Sequence, residues 1–170
     1  AGTEFGLYVS INGGTNWVLM HGTLPRAPVD AVLISPREND VVLGTHGRSI
    51  IILDDISMLE KMTPAVLSSD VHLFPLRTAT QYYDKRLLPT PGAGKFSGPN
   101  PEYGALITYY LKDDPPKPGE KSAVKITVLD KDGKTVREIE GIDSQGLHRT
   151  AWDLRYPLPF RPDAEEGWFG

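Results

Sequence analysis

Hydrophobic residues occur along this chain in short runs that alternate with turns rich in glycine, proline and asparagine. The first two runs, residues 5–9 and 18–20, flank a polar stretch at residues 10–17 that ends in a tryptophan. The Asn-Gly-Gly sequence at its centre tolerates the positive φ angles of a tight hairpin turn. The pattern therefore predicts a two-stranded hairpin with residues 10–17 at its tip.

Three more apolar runs follow at residues 29–35, 41–45 and 49–54, and turn-forming residues separate them. They are rich in β-branched residues and nearly continuous in hydrophobicity, which predicts strands buried on both faces, as in stacked sheets. Short strands at this spacing are typical of sandwiches, barrels and propellers.

A helical pattern occurs only in residues 55–69. Ser57 and Glu60 have the spacing of a capping box, and Thr63 precedes Pro64 as an N-cap precedes a proline in the first helical turn. We therefore expect two short helical turns and not one long helix.

The second half of the chain differs in composition. Residues 77–103 are rich in proline and glycine, which predicts a linker. Strands are predicted at residues 104–111 and 146–154, and a hairpin turn at residues 130–133. Apolar and polar residues alternate over residues 124–128, as in a strand with one buried face.

These patterns predict an all-β protein with two β-rich parts. The predicted segments are a first β-rich part at residues 1–76, a linker at 77–103, a second β-rich part at 104–156 and an extended tail at 157–170. The chain has 17 glycines and 15 prolines, which favours many short strands joined by turns. Hydrophobic residues make up 39% of it, enough for a packed core.

Charge and residue usage exclude several classes of partner. The net charge is −4 and basic residues form no cluster, so neither nucleic acid nor an anionic membrane surface is an expected partner. No apolar run approaches the roughly 20 residues that span a bilayer. The chain has no cysteine, which excludes disulfides and thiolate sites. Without an initiator Met or a leader, it is expected to be an internal fragment or a mature product.

The polar stretch in the hairpin tip is similar to the Asp box, S-x-D-x-G-x-x-W. Ser10, Gly14 and Trp17 occupy their motif positions, and Asn12 stands where the motif has Asp. Although this motif recurs in sialidase-like enzymes, its residues favour a structural role. The side chain of Asn12 is expected to accept hydrogen bonds from amides of its own loop, with Trp17 packed beneath.

Residues 1–76 resemble the closing blades of bacterial BNR-repeat glycosyl hydrolases and sortilin-like β-propellers. The resemblance rests on the Asp box and on five further stretches, residues 2–10, 35–40, 44–50, 53–56 and 70–74. It departs from the family pattern at Asn12 and at Ile51, where a Trp is expected.

Residues 104–156 resemble the Ig-like or fibronectin-like sandwich that follows such propellers. The resemblance rests on residues 128–130, 133–137 and 146–153. Four strands are predicted where an Ig-like sandwich has about seven. The resemblance therefore implies partial propeller blades and a truncated sandwich.

A partial propeller has a physical consequence. Blades contain about 40–45 residues each, so residues 1–76 make fewer than two blades and cannot close a ring. Strand edges would then remain open, and open edges pair with other chains. We therefore expect self-association.

The candidate ligand-binding residues form two groups. His46 and Arg48 flank Gly47, and with Asp54 and Asp55 they could hold a carboxylate or a sulfate group. The alternative is a turn with a structural Arg–Asp pair. Tyr82 and Tyr83 are candidates for stacking on a sugar. The four histidines have no zinc-motif spacing, so neither a metal nor a cofactor is expected.

Two functions follow from these observations and from the resemblance. The first is a non-catalytic structural, interaction or glycan-binding piece of a secreted or periplasmic β-propeller protein, with a polysaccharide or a protein as its partner. The second is the C-terminal portion of a BNR-repeat glycoside hydrolase that acts on polysaccharide. Its catalytic residues would lie upstream or in a second chain.

Overall fold

A computed structural model describes residues 1–22, 24–82, 98, 100–116 and 123–157. These residues form small antiparallel sheets and two short helices, which confirms the all-β prediction. The chain divides into two compact units, Ala1–Phe74 and Pro75–Gly170. Most of the predicted linker and nearly all of the predicted tail lie outside the described residues, and both stay predictions.

The first unit contains seven strands and both helices. They are β1 (Gly2–Thr3), β2 (Gly6–Val9), β3 (Val18–Leu19), β4 (Val29–Ile34), β5 (Val41–Thr45), β6 (Ile50–Leu53), α1 (Ser57–Glu60), α2 (Pro64–Ser68) and β7 (Val71–Leu73). One antiparallel sheet has the order β1-β2-β3, and β2 and β3 are the predicted hairpin. A second antiparallel sheet has the order β4-β5-β6.

The core of the first unit lies on one face of the β4-β5-β6 sheet. Val41 and Leu43 of β5 are buried there together with Leu7 and Val29, and partly buried side chains pack around them. These partly buried residues are Met20, Leu24, Ile51, Leu53 and Ile56. The period of two along β5 brings Val41 and Leu43 to the same face.

The prediction that the strands at residues 29–54 are buried on both faces is wrong for this sheet. Leu33, Ile50 and Ile52 are 63%, 69% and 56% exposed. Within the described residues of this unit the sheet is packed on the Val41 face, and the opposite face is open. The continuous apolar runs thus place hydrophobic side chains on both faces of the sheet, but only one of these faces is covered.

Both helices are short, as predicted. Thr63 is the N-cap of α2, its hydroxyl accepts the Val66 N–H at 3.3 Å, and Pro64 follows it, which confirms the predicted cap. The predicted capping box of α1 is wrong, because Ile56 is the N-cap residue and its side chain makes no cap bond. Asp55 accepts the Ser57 N–H instead, at 3.1 Å, so the carboxylate that orders this helix start lies outside the motif.

The second unit contains four strands within its described residues. They are β8 (Ala105–Leu111), β9 (Lys125–Leu129), β10 (Thr135–Glu140) and β11 (Gly146–Trp152). β8 pairs antiparallel with β11, and β9 with β10. Every second residue of β8 is buried, from Ala105 through Ile107 and Tyr109 to Leu111, and these side chains form the apolar centre of the unit.

The predicted hairpin at residues 130–133 is confirmed. The carboxylate of Asp130 accepts the N–H groups of Asp132 and Lys134, both at 2.9 Å. Gly133 takes a φ of 79°, which glycine adopts readily. The turn therefore uses its acidic side chain to hold the backbone.

Candidate binding surfaces

The hairpin tip is a turn whose polar side chains bond to its own backbone. The hydroxyl of Ser10 accepts the Gly14 N–H at 2.7 Å and donates to the side-chain oxygen of Asn12 at 3.1 Å. The same Asn12 oxygen accepts the Asn16 N–H at 2.9 Å. An amide oxygen therefore fills the position of the Asp carboxylate in the Asp box.

Trp17 completes this turn. Gly14 has a φ of 89°, and a Cβ built on it would lie 3.7 Å from the indole ring. The ring therefore lies on the Gly14 side of the turn. The Trp17 side chain is 52% exposed.

His46 and Arg48 lie in the turn between β5 and β6. The His46 Nδ1 atom is 3.8 Å from the Asp30 carboxylate, and both side chains are mostly exposed, so this pair contributes little. Thr45 donates from its N–H and its hydroxyl to the Ser49 carbonyl, at 3.1 and 2.7 Å, and closes the turn. Sequence reasoning did not single out Asp30 as the neighbour of His46.

Asp54 and Asp55 lie at the other end of β6. The four-residue strand β6 lies between Arg48 and Asp54, and at about 3.3 Å per residue it spans roughly 10 Å. The structure thus separates the two halves of the predicted anion site. Asp55 has a φ of 44°, its N–H donates to Asp40 at 2.9 Å, and its carboxylate orders the start of α1.

The predicted tyrosine pair is described only in part, because Tyr83 lies outside the described residues. The ring of Tyr82 contacts the ring of Tyr103 edge to face, with centroids 5.0 Å apart. The Tyr82 N–H also donates to the Tyr103 hydroxyl at 3.2 Å. Tyr103 is therefore an aromatic neighbour of Tyr82 that the sequence pattern did not indicate.

Sequence reasoning missed an open apolar surface on the β4-β5-β6 sheet, which we call the outer face. The strand registers align its side chains in two rows across the three strands. The rows are Leu33–Val42–Ile52 and Ala31–Gly44–Ile50. A Cβ built on Gly44 would lie 3.3 Å from the Cβ of Ala31, tighter than an ordinary contact, so both positions lie on the same face. None of the six residues carries a charge.

Two clefts lie on the core side of the first unit. One, of about 360 Å³, is lined by Val32 and Ile34 of β4 and by the ring of Trp17. The other, of about 480 Å³, is lined by Phe5, Tyr8 and Trp17 and also by Glu4. Three aromatic side chains, brought together by the β2–β3 hairpin, thus form the walls of one opening.

In the second unit, Tyr109 is the group with the clearest change in acidity. Burial raises the pKa of the Tyr109 hydroxyl above its ordinary value, and this hydroxyl donates a hydrogen bond to the Ile142 carbonyl at 2.8 Å. Tyr109 is a packed core residue, so this shift belongs to stability.

The described residues contain neither a metal-binding cluster nor a membrane-spanning helix. No cluster of three or more His, Asp or Glu side chains that could hold a metal ion occurs in that part of the chain. Over the same residues, no helix has the length and apolar character needed to cross a membrane.

The comparisons with known proteins add no relative. No protein-family model matches the chain, and no curated protein or solved structure matches it either.

Proposed function

We propose that this chain is a non-catalytic interaction module of a secreted or periplasmic β-propeller protein, which docks a partner against its exposed β-sheet. The proposed propeller origin and extracytoplasmic location rest on the Asp box and the stretches that accompany it. The proposed role rests on one observation, the outer face of the β4-β5-β6 sheet. Its two rows of side chains are open to solvent and uncharged.

The outer face has the chemistry of a docking surface. Full burial of a Leu or Ile side chain stabilises a contact by about 1.5–3 kcal/mol. Contiguous exposed apolar patches mark interaction sites on soluble proteins. Two sheets stack about 10 Å apart with their side chains interdigitated. Gly44, in the middle of the face, leaves room for a partner's side chain.

The partner that fits this surface best is another β-sheet protein, including a second copy of the chain. Such a partner offers branched aliphatic side chains at matching spacing, whereas a polysaccharide requires hydrogen-bonding groups that the outer face lacks. The non-catalytic role is supported by Asp55, a candidate acid whose carboxylate accepts the Ser57 N–H at the start of α1.

Sedimentation velocity over a wide range of concentration tests this proposal. We expect the sedimentation coefficient to rise with concentration. A single monomer mass at every concentration would contradict the self-association. Turnover of chromogenic glycosides by this chain would contradict the non-catalytic role and favour the glycoside hydrolase alternative.

The aromatic cleft supports a second candidate function, glycan binding. Phe5, Tyr8 and Trp17 offer ring surfaces on which the apolar face of a sugar can stack, and Glu4 offers a hydrogen-bond acceptor. Binding of oligosaccharides, followed by tryptophan fluorescence, should weaken in Trp17→Ala and persist in Tyr82→Ala. Loss of binding in Tyr82→Ala alone would move the site to the second unit.

A further inference from the structure

Strand β4 is an edge strand whose outward backbone groups can be identified. Among the described residues, the sheet has β5 on one side of β4 and no strand on the other. The Ser35 N–H donates to the Asp40 carbonyl at 2.8 Å, which makes these two residues a hydrogen-bonded pair. Because bonded and non-bonded pairs alternate in an antiparallel ladder, Leu33 also bonds to β5. The N–H and C=O groups of Val32 and Ile34 therefore point to the open edge.

This edge lacks the features that prevent edge strands from pairing with other chains. Val29–Ile34 contains neither Lys nor Pro, and its one charged residue, Asp30, lies near the start. Val32 and Ile34 are 43% and 54% exposed, and Leu33 projects from the opposite face. The backbone of Gly2 lies against Val29 at the beginning of the strand, so residues 31–34 form the open part.

We propose that β4 pairs antiparallel with β4 of a second copy of the chain, with Leu33 on the two-fold axis. This inference rests on the proposed function and names the edge that carries the self-association. Val32 of each copy then lies opposite Ile34 of the other. Each such pair exchanges two backbone hydrogen bonds, so every outward group of Val32 and Ile34 is bonded. The product is a six-stranded sheet across the dimer.

A second copy fits this edge because the strand is complementary to itself. Val32 meets Ile34 on one face, Leu33 meets Leu33 on the other, and a two-fold axis relates identical surfaces. In this register Asp30 of each copy lies beside the turn that carries Arg37 of the other. Both side chains are exposed, with Arg37 at 90% and Asp30 at 65%, and Arg37 also pairs with Glu38 of its own turn at 2.9 Å, so the fit of the edge rests on its apolar centre.

The other edge strand of the sheet, β6, is less suited to pairing. It has four residues, against six in β4. Ser49 and Asp55, at its two ends, have φ angles of 63° and 44°, which turn the chain away from an extended path. Its side chains Ile51 and Leu53 already pack on the core.

A single cysteine tests the register, because the chain has no cysteine of its own. In the proposed dimer the two Leu33 residues form a non-hydrogen-bonded pair with Cα atoms about 4.5 Å apart, within the range of a disulfide. Under mild oxidation, Leu33→Cys should form a disulfide-linked dimer nearly completely. Ile50→Cys, on β6 and equally open to solvent, is the matched control and should remain mostly monomeric.

A charge pair tests the same contact without oxidation. Leu33→Lys and Leu33→Glu should each be monomeric, because like charges meet on the two-fold axis. An equimolar mixture of the two should form dimers, which a variant that merely misfolds would not do. Circular dichroism melting of each variant checks the fold.

The outcomes separate this inference from the proposed function. If the unmodified chain associates while Leu33→Lys and Leu33→Glu still self-associate and Leu33→Cys does not cross-link, the β4 contact is wrong and the interaction module stands. If the unmodified chain is monomeric at every concentration, both the contact and the self-association are wrong. The contact is supported if dimers form in the mixture of Leu33→Lys and Leu33→Glu but in neither variant by itself, and if Leu33→Cys cross-links.

Discussion

At the scale of single residues, Asn12 shows how the hairpin tip can depend on one side-chain oxygen. That atom accepts both the Asn16 N–H and the Ser10 hydroxyl. We expect Asn12→Ala to lower the free energy of unfolding of the first unit by about 1 kcal/mol, the value of a typical hydrogen bond. Urea denaturation followed by tryptophan fluorescence measures this change.

Asn12→Asp is the matched variant for that experiment. It keeps the acceptor and restores the residue of the Asp box, and a charged acceptor strengthens its hydrogen bonds. We expect stability equal to or above that of the unmodified chain. Equal destabilisation by Ala and Asp would show that the Asn12 oxygen does not hold the turn.

At Gly104, both the backbone conformation and a close contact disfavour any side chain. Its φ is 116°, and a Cβ built there would collide with the Trp152 carbonyl oxygen across the β8–β11 pair. Gly146, with a φ of 122° and open space around it, is the matched control. Each change to Ala incurs backbone strain of about 1–3 kcal/mol, and overpacking adds a similar amount at Gly104.

Thermal melting of the two variants measures this difference. Gly104→Ala is expected to have a melting temperature clearly below that of Gly146→Ala. Equal melting temperatures would mean that β8 and β11 can separate at Gly104 without cost.

At the scale of elements, Tyr109 links β8 to the chain at Ile142 and makes stability depend on pH. Because burial raises its folded-state pKa, the neutral phenol is favoured in the folded protein. Its contribution is fully present below the ordinary pKa of about 10 and is lost as pH rises through the folded-state value. We expect Tyr109→Phe to be about 1 kcal/mol less stable at neutral pH, through loss of the hydrogen bond to Ile142.

Urea unfolding from neutral to strongly alkaline pH tests this expectation. The stability difference between Tyr109→Phe and the unmodified chain should narrow above about pH 10, where the tyrosine loses its advantage. The other tyrosines are common to both proteins and cancel. A difference that stays constant across this range would contradict the role given to burial.

Local chemistry made several elements predictable from the sequence. The Asn-Gly-Gly tip, the Thr63–Pro64 helix start and the Asp130 turn are each determined by side chains within a few residues, and all three form as predicted. The α1 cap was missed because Asp55 and Ser57 use a two-residue spacing that differs from the capping box.

The burial of the strand side chains was not predictable in the same way, because it depends on which elements pack against the strand in the folded protein. The hydrophobic run at residues 29–35 looks the same whether its sheet is covered on one face or on two. The candidate site had the same difficulty: Arg48 and Asp54 are close in sequence, but β6 lies between them as an extended strand. The Tyr8 and Trp17 rings come to one cleft because β2 and β3 pair, a contact outside any single motif.

At the scale of the whole molecule, the proposed function depends on β-surfaces that the described residues leave open. The outer face supplies apolar area, and the β4 edge supplies backbone groups that only another strand can pair fully. Interaction with a β partner would cover the first and pair the second.

Residue-resolved amide hydrogen exchange at increasing protein concentration tests this claim most directly. We expect the Val32 and Ile34 amides to exchange quickly in dilute solution and to become protected as concentration rises. The Leu33 amide, already bonded within the sheet, should change far less. Exchange of Val32 and Ile34 that is independent of concentration, or as slow in dilute solution as that of Leu33, would contradict it.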